Sequence, residues 1–368
     1  MRIQYDHQVF SLQNAGGASR YHFELLRYLS TVDDVRTQLA LGLNNLNLPL
    51  GGLSAPETRV WGLRSRLHAG KSRYMANEVF GNLMALWLGK ADVYHPTLYR
   101  NMPMVRTHRI VVTHHDCAHE RYPEFFPAAK RILDAKRMQF AEADAIICVS
   151  ESSRKDLLAF YAVDHSKVRV IHHGLTKLAR STLASAYLAK RLRRGFLLFV
   201  GSRAAYKIFN NLLRAIHESR MDRSFDLLVL GGGNLTGAES DLARTLELTD
   251  SLVLVPEADD ALLAEAYAAA RLFVYPSLYE GFGFPPLEAM ASGCPVLASN
   301  TSSIPEISCD APFYFDPSDL NALCAALEKA STDEEARKHA VERGFRVAAQ
   351  YSWNKCGAET LALYRECQ

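Results

Sequence analysis

No cysteine in this sequence has a partner at Cys-x-x-Cys spacing, and the seven that occur (117, 148, 294, 309, 324, 356 and 367) are odd in number. That disfavours a disulfide framework or a zinc ribbon and suggests reduced thiols in a cytoplasmic protein. Cys148 and Cys294 lie in apolar strand contexts and read as core. Nowhere do eighteen apolar residues run together, so no membrane-spanning helix is expected. The opening Met1-Arg-Ile-Gln-Tyr-Asp-His7 is too polar for a signal peptide. Charge of one sign is scarce too: 42 Lys and Arg against 40 Asp and Glu leave +2, which gives no footprint for nucleic acid. His-Glu-x-x-His and Gly-x-Gly-x-x-Gly are absent, so neither a metal nor a dinucleotide cofactor is expected.

What is present is an ordinary globular composition, 48% hydrophobic and 22% charged, over 368 residues. That length suggests about two domains, each with its own core. Short apolar runs separated by helical stretches recur in both halves. Residues 2–10, Asp92–His95, Arg109–Thr113, Ala141–Ser150 and Val168–Ile171 read as strands in the first. Phe196–Val200, Phe225–Leu230, Leu252–Val255 and Leu272–Tyr275 do so in the second. The pattern predicts an α/β chain of two doubly wound parallel sheets.

The most informative stretch is Pro276 to Ser299. Glu280 heads a loop, Gly281-Phe282-Gly283-Phe284, whose glycines allow close backbone approach to a ligand. Pro285 and Pro286 suit a first helical turn, predicting a helix from about Pro286 to Ser292 that stops at Gly293. Glu280 then precedes a helix N-terminus and Glu288 falls in its first turn, where the dipole favours carboxylates whatever their function.

This string resembles the Glu-x7-Glu signature of the family 4 retaining glycosyltransferases, which have the GT-B fold of two Rossmann-like domains facing across a cleft. The resemblance implies that Glu280 and the amides of Gly281, Phe282 and Gly283 hold donor-sugar hydroxyls and that Glu288 binds the ribose. Gly16 and Gly17, between a strand and a helix, match the family's glycine loop facing the donor phosphates. Arg203 and Lys207, after the Phe196–Val200 strand, match its diphosphate-binding cations, although the Asn that often follows the Lys is Ile208 here. His115, in Val111-Val-Thr-His-His-Asp116, matches the histidine beside the reacting sugar. His114 and His119 fall outside the family pattern. The catalytic set implied is His115, Glu280, Arg203 and Lys207.

By the same resemblance, residues 1–175 form an acceptor-binding domain, 176–194 a linker and 195–350 a nucleotide-sugar donor domain. Residues 351–368 form a helix returning to the first domain. The implied activity is metal-independent, retaining hexosyl transfer from a nucleotide diphosphate sugar to a glycan or polyprenyl-linked acceptor. The style of the motif is similar to bacterial mannosyltransferases of O-antigen and exopolysaccharide assembly, which points to GDP-mannose, with UDP-sugars next. A sugar-nucleotide epimerase, a non-catalytic nucleotide-sugar binding subunit and a glycoside hydrolase are the alternatives. Arg59, Arg64, Arg66, Lys71 and Arg73 form a basic run without acids and interleaved with Trp61, Leu63 and Leu67. Such a run either solvates a helical hairpin or docks on anionic lipid at the inner face of the membrane.

Overall fold

The computed structural model describes residues 1–13, 16–44, 58–64, 70–99 and 107–368. The chain divides into two compact units, Met1–Gly174 with Ser352–Gln368, and Leu175–Tyr351.

The first unit is built on seven strands: β1 (Arg2–Tyr5), β2 (Arg36–Asn44), β3 (Thr58–Arg64), β4 (Ala91–His95), β5 (Thr107–His114), β6 (Ala145–Cys148) and β7 (Val168–Val170). All their pairings are parallel, in the order β3-β2-β1-β4-β5-β6-β7. Strand order reverses between β1 and β4, where Tyr5 lies opposite His95. The expected strand over residues 2–10 ends at Tyr5, and Val9 and Phe10 belong to a short helix, Gln8–Leu12. Both are buried all the same, so the apolar run reports the core while leaving helix and strand undecided. Ser150 caps the Glu151–Phe160 helix in a reciprocal box with Ser153.

Arg73, expected on a solvated or membrane-facing basic run, is instead fully buried. Its Nη2 donates to the Phe10 carbonyl (2.7 Å) and its Nε to that of Ser11 (3.1 Å). It thus satisfies the open carbonyls at the end of the Gln8–Leu12 helix. Arg66 lies outside the described residues.

The second unit has six parallel strands: β8 (Phe196–Val200), β9 (Asp226–Leu230), β10 (Leu252–Val255), β11 (Leu272–Tyr275), β12 (Val296–Ser299) and β13 (Phe313–Phe315). Their order is β10-β9-β8-β11-β12-β13. The central strands are continuous apolar runs because helices cover both faces of such a sheet. Leu197, Phe199, Leu227, Val229, Leu272, Val274 and Leu297 form one core with Leu212, Leu213 and Ile216 of the Phe209–Glu218 helix. Residues 176–194, expected as a connection, belong to this unit. They carry a helix, Thr182–Ala189, preceded by an ion pair from Arg180 to buried Glu265 (2.9 Å).

The C-terminal helix, Trp353–Glu366, packs within the first unit against the helix Gly17–Leu29. Its entry leaves no room at Gly174, where a β-carbon would lie 2.2 Å from the Trp353 nitrogen and 2.5 Å from its Cα. Backbone cannot swing aside as a side chain can. Gly174→Ala is expected to destabilise the first unit by about 1–3 kcal/mol or more, seen as a lower Tm. Gly195→Ala, whose nearest neighbour would be the Phe225 ring at 3.5 Å, should melt close to wild type.

Candidate active site

In the second unit, strand order reverses between β8 and β11, and open parallel sheets bind ligands beyond the strand ends at such a point. The loops after these two strands meet there. The Leu278 amide donates to the Tyr206 carbonyl (2.7 Å), and Lys207 Nζ pairs with Glu280 Oε1 at 2.9 Å. Both charged side chains are largely buried, 12% and 16% exposed, so the pair is little screened. The loop after β12 closes the other side. Ser302 Oγ accepts from the Glu280 amide (3.0 Å), and Ser303 Oγ donates to the carbonyls of Glu280 (2.8 Å) and Phe282 (3.1 Å). Ser277 Oγ donates to Glu280 Oε1 (2.7 Å). Burial first, then the Glu280 carboxylate, holds the Tyr275 hydroxyl protonated well above its ordinary range.

The helix after this loop runs from Phe284 to Ala291, with Gly283 as its N-cap. Pro285 and Pro286 therefore occupy its second and third positions, and Phe284 alone of the first three has an N–H to offer. Glu288 falls in the second turn, not the first, because the helix starts two residues earlier than expected. It is buried, takes a weak hydrogen bond from the Tyr267 hydroxyl (3.4 Å), and lines a cavity of about 510 Å³ with Thr176, Lys177, Arg180, Ala264 and Ser292.

Arg203 points away from the Lys207–Glu280 pair and into a turn after β9. Its guanidinium donates to the carbonyls of Gly231 (3.2 Å), Gly232 (3.2 Å), Gly233 (3.2 Å) and Asn234 (2.6 Å), and its Nε to Glu239 (3.1 Å). The three glycines have φ of 81°, 76° and 74°, a run of left-handed residues that side chains would oppose and that curls their carbonyls around the cation. Between Lys207 and the Phe209–Glu218 helix, Ile208 is also left-handed (φ 39°), a position where Asn or Gly costs less than a β-branched residue. Phe209 and Asn210 open that helix with N–H groups that have no intrahelical acceptor.

In the first unit, Gly16 caps and Gly17 starts the Gly17–Leu29 helix, both exposed. His115 follows β5 in a loop, its amide donating to the Tyr99 hydroxyl (3.3 Å). Its Nε2 is buried without a hydrogen-bond partner, and burial pulls its pKa down to about 4, so the ring is neutral near pH 7. His114 is a core residue, bonded to the Tyr99 hydroxyl (3.0 Å) and near Cys117 Sγ (3.4 Å). The His119 ring lies 4.4 Å from that of Phe126, tilted by 39°. Among the described residues, no three His, Cys, Asp or Glu side chains are arranged to hold a metal.

The description "Glycosyltransferase Family 4" matches residues 15–176, and "Glycosyl transferases group 1" matches residues 184–347. O-antigen chain mannosyltransferase B of Escherichia coli is 32% identical over 292 residues, covering 75% of this chain and 74% of that protein. The chain belongs to glycosyltransferase family 4. Among solved structures, sucrose-phosphate synthase of Thermosynechococcus elongatus superposes with TM-score 0.77 at 20% identity, covering 99% of this chain and 98% of that one. Anabaena HepE in complex with UDP and glucose gives 0.74 at 16% identity, covering 98% and 99%. The fold of this family 4 protein is GT-B.

The motif residues of this family 4 chain sort by unit. Lys207 and Glu280 come together directly, and Gly281, Phe282 and Gly283 complete their loop. Glu288 lies further along the helix, and Arg203 is turned to the glycine turn. The sequence assigns no role to several side chains of these sites, although the 298–306 loop that carries Ser302 and Ser303 fits the family as one bordering the donor site. Ser277, Ser302 and Ser303 fix the Glu280 loop. Tyr21, His22 and His173 pack around His115 in the first unit, with ring centroids 5.8, 6.3 and 5.8 Å from its own, and His95 lies 5.2 Å from His22. Ser277 lies three residues before Glu280 and could have been found as a local partner. The histidines are scattered along the chain and had no such signal.

Proposed function

We propose that this protein transfers a mannosyl residue from GDP-mannose to a glycan or polyprenyl-linked acceptor in cell-surface polysaccharide synthesis, retaining the anomeric configuration and needing no divalent metal. The observation that carries the reading is the partly buried Lys207–Glu280 pair at the β8/β11 reversal, beside a helix start. In the reaction, the bond from the sugar C1 to the diphosphate breaks while the acceptor oxygen bonds C1 from the same face. A diphosphate oxygen takes the acceptor proton. Lys207 meets the departing charge directly with a charge-assisted hydrogen bond. Arg203, its N–H groups occupied, stiffens the glycine turn and adds positive potential behind it. Glu280 and the Gly281–Gly283 amides hold sugar hydroxyls, Glu288 holds the ribose, and Gly16 and Gly17 serve the phosphates. Neutral His115 accepts or donates a hydrogen bond at the reacting sugar.

Mannose as the sugar is supported by the relative from Escherichia coli. A UDP-sugar, the class named for the Anabaena neighbour, is the runner-up. A thermal-shift panel of GDP, UDP, ADP and dTDP sugars decides between them: GDP-mannose should raise the Tm most, and a larger shift with a UDP-sugar replaces it. An epimerase would convert donor without acceptor, and a binding subunit would shift in the panel but never turn over.

The lipid-linked acceptor fits one surface. Met75, Val79, Leu83 and Trp87 recur every fourth residue along the Lys71–Trp87 helix and are 54–67% exposed. The exposed lysines Lys71 and Lys90 bracket the stripe, a pattern suited to an anionic lipid surface. Val79→Asp with Leu83→Asp should abolish flotation with vesicles containing phosphatidylglycerol. Equal flotation, or a wild type that does not float and is dimeric by light scattering, rejects lipid as the occupant.

A further inference from the structure

Beneath the first-unit site runs a buried chain of hydrogen bonds that none of the roles above uses. His95 ends β4, fully buried, and both of its ring nitrogens are engaged. Its Nδ1 meets the Tyr364 hydroxyl at 2.5 Å and its Nε2 meets Thr113 Oγ1 at 2.8 Å. Tyr364, on the C-terminal helix, is also 2.9 Å from the Tyr5 hydroxyl on β1. Thr113 is in turn 3.1 Å from the hydroxyl of Tyr21, whose ring stands edge-on to His115 at 5.8 Å. The series Tyr5–Tyr364–His95–Thr113–Tyr21 thus links β1, the C-terminal helix, β4, β5 and the Gly17–Leu29 helix.

A neutral imidazole has one donor and one acceptor, and each hydroxyl has one donor. His95 must therefore donate on one side and accept on the other, so the Thr113–His95–Tyr364 bonds run in one direction, and a change at either end is passed through the ring. Removing any member leaves a buried polar group unmet, which the neighbours must absorb by moving. Two of the five members touch the site's own elements. Thr113 stands two residues before His115, and Tyr21 is in the first turns of the helix that Gly16 and Gly17 open.

We propose that His95, with Tyr364, is a positioning residue: it ties the C-terminal helix to the end of β5 and to Tyr21 of the Gly17–Leu29 helix, and so fixes the ring of His115. This rests on the role given above to His115. The last helix of the chain is then part of the active-site scaffold, and its loss would be felt at the reacting centre before it is felt in donor binding.

The test uses the full chain and three variants. Tyr364→Phe removes one hydroxyl and keeps the ring, His95→Phe removes both ring nitrogens, and His95→Gln restores a donor and an acceptor. Carbon-13-labelled histidine gives a ring signal for His115, assigned by its absence in His115→Ala. In Tyr364→Phe and His95→Phe that signal should shift or split, and kcat should fall about tenfold with the donor KM unchanged, since Lys207 and Glu280 are untouched. His95→Gln should recover part of both. An unmoved His115 signal in folded Tyr364→Phe overturns the proposal, as does a lowered Tm with kcat unaffected. If His95→Phe does not fold, Tyr364→Phe decides alone. Should the wild type transfer no sugar at all, the reading of function fails, while the His115 signal still judges the positioning.

Discussion

Lys207→Ala is expected to lower kcat/KM for the nucleotide sugar by about 10²- to 10³-fold, the range found when a single oxyanion donor is removed. The effect should exceed that expected of an exposed lysine because Nζ sits 2.9 Å from Glu280 with only 12% of the side chain exposed. Truncation would remove the cation proposed to meet the diphosphate and also leave the Glu280 carboxylate with the hydroxyls of Ser277 and Tyr275 and no neutralising charge. Lys207→Arg should recover little, since a planar guanidinium cannot replace a compact ammonium in a closed loop. Steady-state kinetics with saturating acceptor measure this. A kcat/KM within threefold of wild type would remove Lys207 from the reaction.

Acidification should loosen the first unit well before the second. Burial holds His22, His114 and His173 well below their ordinary value, His115 at about 4 and His95 at about 3. Unfolded, each would titrate near about 6.5. As pH falls below that value the unfolded chain takes up protons that the folded unit refuses, so stability drops with pH. The contribution is fully present above about 6.5 and is lost between there and about 4 for His115 and about 3 for His95. The His115 shift alone is on the order of 3 kcal/mol. All five histidines belong to the first unit. Hydrogen exchange at pH 7.5 and pH 5 should therefore show β1, β4 and β5 losing protection while β8 and β11 keep theirs. Equal loss in both units would contradict the buried neutral histidines.

How far the sequence could be read depended on how local each signal was. β8, β9, β10 and β11 announced themselves because buried parallel strands are unbroken apolar runs. β2 and β3 did not. β2 buries polar Thr37 and Gln38, and its apolar run, Leu39-Ala40-Leu41, is cut by Gly42 where the register shifts, so the strand signal is short. The Phe284–Ala291 helix was found two residues late, since a proline pair fits the second and third positions as well as the first. Arg203 was legible as a cation at a strand end, but not its direction, which is set by four carbonyls on the neighbouring β9 loop. Arg73 looked like surface charge for the same reason: its acceptors, Phe10 and Ser11, lie some sixty residues away. The histidine cluster is the extreme case, assembled from residues 22, 95, 115 and 173 by the sheet topology alone.

The central claim is that a nucleotide diphosphate sugar is held where β8 and β11 part. A crystal structure with GDP-mannose addresses it most directly. The diphosphate should lie within hydrogen-bond distance of Lys207 Nζ, with a sugar hydroxyl on Glu280 and the ribose on Glu288. A diphosphate bound elsewhere on the second unit, with Lys207 and Glu280 still paired only to each other, would contradict it.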